Sequence, residues 1–248
     1  MDSPAEALAG AWMKRIGGVL DPHIRTHYLR YEVRKLPPEL LAEMVEAAHA
    51  RANAGHGGYT TLLLGLSVAL GDHSTHELRM AAAQIARDSN LAEAAEFLTG
   101  GPSRRTMNPR DARLPNPVGG RRLTLGERKT LARKPDRRLI ARAIRDPDPA
   151  VVEILLRNPA LTEDDIVRLC ARRPIVADVL RRVFQHSRWN VRYRVQRTLV
   201  RNPYTPLEIA IQLAAQLTAQ DARAVADSPE LDARVRDACR RRLTPAGA

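Results

Sequence analysis

An interval of 40 residues recurs in the second half of the chain. Pro149-Ala150-Val151 is followed by Trp189-Asn190-Val191 and then by Pro229-Glu230-Leu231, and Leu155, Val195 and Val235 keep the same spacing. A fixed period in this range marks supersecondary units that bury their apolar faces by stacking on one another. Such an array offers an extended surface for holding a partner. The interval therefore predicts an all-α fold, a short α-solenoid of three three-helix repeats plus a helical N-terminal region.

The composition agrees with helices packed on helices. Aromatic residues make up 4% of the 248 residues, so the core must come from Leu, Ile, Val and Ala. Charge is divided unevenly. Residues 1–100 carry 9 basic and 12 acidic side chains, and residues 101–248 carry 31 and 16. An excess of this size in one half points to a polyanionic partner. A GC-rich genome also produces such a bias, because all the basic residues except Lys14, Lys35, Lys129 and Lys134 are Arg. Cys170 and Cys239 lack a second Cys or His at ligand spacing, so neither zinc nor a disulfide framework is expected. The opening Met1-Asp2-Ser3-Pro4-Ala5-Glu6 has no signal-peptide pattern, and the apolar run Leu62–Leu70 is too short to span a bilayer. The expectation is a soluble, cytoplasmic, bacterial protein with no membrane partner.

Residues 1–100 read as five or six helices, from about Ala5 to Ile16, Pro22 to Lys35, Glu39 to Ala54, then on to Gly71. The turn Gly55-His56-Gly57-Gly58 lacks the Lys-Ser/Thr of a phosphate loop and reads as a helix–helix connection. Ser74 and Glu77 are spaced as a capping box. Residues 101–122 read as a basic flexible linker. They hold Pro102, Pro109, Pro115, Pro117, Gly119 and Gly120, with Arg104, Arg105, Arg110, Arg113, Arg121 and Arg122 against the single acid Asp111.

The repeat domain spans residues 123–245. Thr124, Thr162, Thr205 and a truncated fourth Thr244 each stand where a hydroxyl would cap a helix. Glu127, Asp165 and Glu208 follow three residues after the first three. Arg157-Asn158-Pro159 and Arg201-Asn202-Pro203 close two repeats, with Asn suited to a left-handed helix end and Pro barring continuation. In the middle repeat the helices are expected at about 162–173, 175–186 and 190–201, the last with an apolar stripe of Val191, Val195 and Leu199. Cys239 then takes the place of Leu199, and Cys170 that of Ala132 and Leu213, which makes both thiols core residues.

This pattern resembles the HEAT and armadillo class of helical repeats over residues 123–245. The residues that carry it are Asp146-Pro147-Asp148-Pro149-Ala150-Val151, His186–Arg192, and Asp227-Ser228-Pro229 running on to Arg234-Val235-Arg236. The Asn-Pro-x-x-Thr punctuation is similar to bacterial variant leucine-rich repeats. The chain departs from the HEAT turn at Val152, where a basic residue is usual, and at Trp189, where Pro is usual. In armadillo folds the third helices line a groove, and the resemblance implies that Arg157, Tyr193 and Arg197 face it.

The candidate partner-binding residues cluster in the middle repeat. Arg188 and Trp189 lie in the turn before its third helix, Arg192, Tyr193, Arg194, Arg197 and Arg201 lie along that helix, and Arg157 ends the preceding one. An aromatic among arginines suits a protein hot spot or phosphate-plus-stacking contacts. The same pattern also fits a Trp packed over a repeat junction with solvating arginines beside it. His23, His27, His73 and His76 form no ligand motif, so no metal, cofactor or catalytic residue is assigned. The functional expectation is a non-enzymatic adaptor or scaffold whose basic groove binds an acidic protein segment. Nucleic-acid binding through the same arginines is the alternative. A HEAT-like DNA glycosylase is a minor one, since no acid stands beside Trp189.

Overall fold

The computed structural model describes residues 3–100, 103–112, 114 and 121–243. These residues form sixteen α-helices and two short 3₁₀ turns, with no β-strand among them. The chain divides into two compact units, one of residues 1–101 with 242–248 and the other of residues 102–241. Arg113, Pro102, Pro115, Pro117, Gly119, Gly120 and Thr244, all named above, lie outside the described residues, as do Met1 and Asp2.

In the first unit, α1 (Pro4–Gly17), α2 (Pro22–Val33), α3 (Pro38–Asn53), α4 (Gly57–Leu70), α5 (His76–Asp88) and α6 (Ala92–Thr99) follow in order. Ser3 and Glu6 cap α1 reciprocally, satisfying backbone groups that the first turn leaves free. Pro38 starts α3 at a position where a missing N–H costs nothing. α3 is central and packs on α1, α4, α5 and α6. It buries Leu41, Met44 and Val45 completely. Glu46 reaches from α3 to accept the Ala94 N–H at 2.8 Å, so the start of α6 is capped by a side chain 48 residues away. Gly55, at φ 91°, supplies the left-handed bend that turns α3 into α4. A Cβ on Gly65 would lie 2.5 Å from Leu29 Cδ1, so this glycine permits the close approach of α2 and α4. The expected Ser74–Glu77 capping box does not form. α5 starts at His76 with Thr75 at the cap position, so Glu77 falls one residue short of N3, and the Ser74 hydroxyl donates to Asp72 at 2.6 Å instead.

The second unit contains three successive groups. The first is α7 (Leu125–Arg133), α8 (Arg137–Ala143) and α9 (Pro149–Leu156). The second is α10 (Glu163–Cys170), α11 (Ala177–Gln185), the single turn α12 (Ser187–Asn190) and α13 (Tyr193–Val200). The third is α14 (Leu207–Ala214), α15 (Ala219–Ala226) and α16 (Ala233–Leu243). α9 packs on α11, and α13 packs on α14, linking each group to the next.

The structure revises the 40-residue register. Third helices begin at Pro149, Tyr193 and Ala233, so the first interval is 44 residues and the second 40. Val151, Val195 and Val235 are therefore the equivalent buried positions, followed one turn later by Leu155, Leu199 and Cys239. Asp148 and Asp232 cap their helices alike, accepting from Ala150 and Arg234 at 2.9 Å. Arg192 stands in their place in the middle group. Trp189 thus has no correspondence with Pro149; it belongs to α12, in the connection between the second and third helices. Val191, expected on the apolar stripe, falls outside α13 and is 39% exposed.

Cap chemistry explains where these helices start and stop. Thr124 with Glu127 and Thr162 with Asp165 form the expected boxes. Thr205 does not cap. Pro206 moves the helix start to Leu207, and the buried Thr205 hydroxyl donates back to the Leu199 carbonyl at 2.6 Å. Asn158 and Asn202 are not left-handed, since Asn90 is the only positive-φ residue other than Gly among the described ones. Their side chains do the work described below. The stretch expected to be flexible is anchored where it is described. Arg105 N–H donates to Pro203 O at 2.9 Å, Asn108 caps the 3₁₀ turn Pro109–Asp111, and Arg121 grips Glu127. Cys170 and Cys239 are fully buried, and burial pushes the Cys170 thiol upward and the Cys239 thiol to about 11.

Candidate functional site

Two buried asparagines build the most regular polar feature of the second unit. Asn158 Nδ2 donates to the carbonyls of Ala132 at 2.8 Å and Lys134 at 2.9 Å, and its Oδ1 accepts the Ala160 N–H at 3.0 Å. Asn202 repeats this one group later, to Cys170 at 2.6 Å, Arg172 at 3.0 Å and the Tyr204 N–H at 3.0 Å. Each side chain is 2% exposed. Each clasps the end of a third helix to the end of the first helix in its own group. The helix-end carbonyls that would otherwise lack donors are satisfied this way.

The clasps gather basic residues along one edge. In the first group Arg133 and Lys134 end α7 beside Arg157, which ends α9. In the second, Arg172 and Arg173 follow α10 beside Arg201, which ends α13. All but Arg172 are exposed. Cations at helix C-termini are favoured by the backbone dipoles, so the helix ends help hold this charge in place. Arg172 donates to Ile144 O at 2.7 Å, and burial lowers its pKa, with the like charge of nearby Arg145 adding to the effect. Two acids answer this edge: Glu153 pairs with Arg157 at 3.1 Å and Glu230 with Arg173 at 2.6 Å.

A second set of contacts ties neighbouring groups together. Arg137 holds Asp165 through both nitrogens, at 2.7 and 2.9 Å, and Arg181 holds Glu208 at 2.6 Å. These acids occupy equivalent places, three residues after Thr162 and Thr205. Arg121 pairs in the same way with Glu127, the corresponding acid of the first group. Burial by itself would raise the Asp165 carboxyl, but Arg137, the Thr162 hydroxyl and the Thr162 N–H together pull it down to about 2. A depressed carboxylate stabilises the fold above its unfolded pKa near 3.8 and loses that contribution as pH falls through about 2. With Asp165 2% exposed, the contribution at neutral pH is about 2 kcal/mol. An acid titration followed by circular dichroism is expected to show the second unit losing stability between pH 4 and 2, at a higher pH in Arg137→Ala.

Of the eight candidate residues, the structure commits six to internal contacts, Arg157 through its ion pair with Glu153 and five more as follows. Trp189 is 2% exposed, and its indole N–H donates to Leu156 O at 3.0 Å, joining α12 to the end of α9. It presents no face on which a base or a partner could stack. The Tyr193 hydroxyl donates to Asp221 at 2.6 Å and accepts the Thr218 N–H at 3.1 Å, so it braces the start of α15. Arg194 pairs with Asp164 at 2.6 Å and Arg197 with Asp221 at 3.8 Å. Arg188 is exposed, lies 4.3 Å over the Trp189 ring and donates to Leu161 O at 3.3 Å. Arg192 is exposed at the α13 start. Arg157 and Arg201 are the two that the clasps place equivalently.

Sequence reasoning missed Arg133, Lys134, Arg172 and Arg173 as members of one edge. The available signal was the repeated Arg-Asn-Pro, read for its backbone and not for the reach of its amide. Among the described residues no group of three or more His, Cys, Asp or Glu stands where a metal ion could be held. The side chains of His23 and His73 lie outside those described. Compared with family models, curated proteins and solved structures, the chain matches none.

Proposed function

We propose that the protein is a non-enzymatic helical-repeat scaffold whose clasp edge docks an acidic protein segment. The repetition of one basic arrangement on consecutive groups carries this reading. An acidic segment running along this edge would meet Arg157 in one group and Arg201 in the next.

The test is an anisotropy titration of the full chain with a fluorescent Asp/Glu-rich peptide and, separately, with a DNA duplex and an RNA duplex, at several salt concentrations. The double variant Arg157→Glu, Arg201→Glu is expected to weaken peptide binding about tenfold or more. Its stability should stay within about 0.5 kcal/mol of the parent, since both side chains are solvent-exposed. Tight duplex binding with a steep inverse salt slope, and peptide binding no better, would replace this reading with nucleic-acid recognition.

A further inference from the structure

Helix α2 of the first unit carries two apolar faces. Leu29 and Val33 are fully buried where α2 packs on α4. On the other side Ile24 is 58% exposed and Tyr31 57%, and Leu20, in the turn before the helix, is 93% exposed. At 3.6 residues per turn Ile24 and Tyr31, seven residues apart, share one side of the helix, and Leu20 stands in the turn just before it. A solvent-facing side of a helix is ordinarily polar, yet this side and that turn hold three of the seven exposed large hydrophobics among the described residues.

Charge is segregated around the same stretch. Residues 14–35 hold six basic side chains and two acidic ones, whereas residues 36–100 hold three and eight. Lys14 and Arg15 at the end of α1 and Arg34 and Lys35 just past α2 are all exposed. Lys35 sits 3.8 Å over the Tyr31 ring and pairs with Glu32 at 2.9 Å, so one of the two acids is already neutralised.

We infer that this face seats on an anionic lipid surface, with Leu20, Ile24 and Tyr31 entering the interface and the lysines and arginines beside them meeting headgroup phosphates. Exposed Leu and Ile beside an interfacial Tyr, flanked by basic side chains, have the chemistry of a shallow membrane-surface contact. Apolar insertion and a basic cluster supply the two signals that stable attachment needs. A second copy of the chain fits poorly, since a two-fold contact would set like-charged rims against each other. Three side chains also fall short of the roughly 800 Å² per partner of a stable protein interface, while a bilayer requires no such area. No helix among the described residues is long and apolar enough to cross a membrane, so the contact is with the surface. The lack of a spanning run, from which no membrane partner was expected, does not bear on it.

The experiment must separate this face from the arginines of the second unit, which any anionic vesicle attracts. Leu20→Ser with Ile24→Ser leaves the charge unchanged and alters only exposed positions. In flotation with phosphatidylglycerol/phosphatidylcholine vesicles this variant is expected to bind about tenfold more weakly than the parent. In a second variant, Leu20→Trp, the emission added to that of the parent's Trp12 and Trp189 should shift to the blue with those vesicles and be quenched by brominated acyl chains. Neutral phosphatidylcholine vesicles should do neither. Equal vesicle binding by the serine variant, or no quenching in Leu20→Trp, would overturn the inference and leave charge attraction alone. Failure of the acidic-peptide titration would not affect either readout.

Discussion

Replacing Trp189 by alanine is expected to destabilise the second unit by about 3–5 kcal/mol, the range for emptying a buried aromatic site. The indole is 2% exposed, packs beneath the Arg188 guanidinium and donates to the Leu156 carbonyl at the end of α9. Truncation would open a cavity between the first and second groups and leave that carbonyl without its donor. Trp189→Phe keeps most of the volume and loses the N–H, so it should cost less. Urea unfolding followed by circular dichroism measures both, and Trp12 makes tryptophan fluorescence a poor substitute. The acidic-peptide affinity of folded Trp189→Ala should stay close to that of the parent. A large loss of affinity with unchanged stability would return Trp189 to the list of partner contacts.

Asn202→Ala is expected to cost about 3 kcal/mol. It removes donors from the carbonyls of Cys170 and Arg172 and the acceptor of the Tyr204 N–H, at a site 2% exposed. Unsatisfied buried polar groups cost about 1–3 kcal/mol each, and the partly exposed ones relax toward water. Asn202→Gly separates two explanations of the same residue. If Asn were present for its tolerance of left-handed backbone, glycine would be accepted there. Because the amide is what closes the clasp, glycine should be at least as damaging as alanine. Asn202→Asp should also fail, since a carboxylate accepts from Tyr204 but cannot donate to either carbonyl. Denaturant midpoints of the three variants decide the matter.

The fold class was legible because it rests on local signals. Apolar spacing, capping threonines and proline stops locate most of the helices; Cys170 was assigned to the core from its distance to Thr162, and Cys239 from its place on the stripe of the third helix. The register of the third helices was not legible. The four extra residues of the first interval are spread over the α10–α11 connection, α11 and the α11–α13 connection and leave no local mark, and Trp189 at the expected interval imitates a repeated position by coincidence of number. The site was half legible. Arg157 and Arg201 could be seen, but the neighbours that make an edge of them are brought in by amides reaching back 24 to 32 residues. Arg194, Arg197 and Tyr193 looked available because their acidic partners, Asp164 and Asp221, lie about 30 residues away on other helices.

The two kinds of polar link in the second unit act at different scales. Asparagine clasps close a group upon itself, while the Arg137–Asp165 and Arg181–Glu208 pairs fasten each group to its successor. Nearly all of these links return within about one group's length of chain, and Arg173–Glu230 is the longest at 57 residues. A chain wired in this way can gain or lose a whole group by duplication or deletion without rewiring the rest, provided the terminal acid finds a substitute cation. Arg121, standing before the first group, already fills that post for Glu127. The length of the array is thus an adjustable quantity, and the number of basic clusters along its clasp edge would change in step.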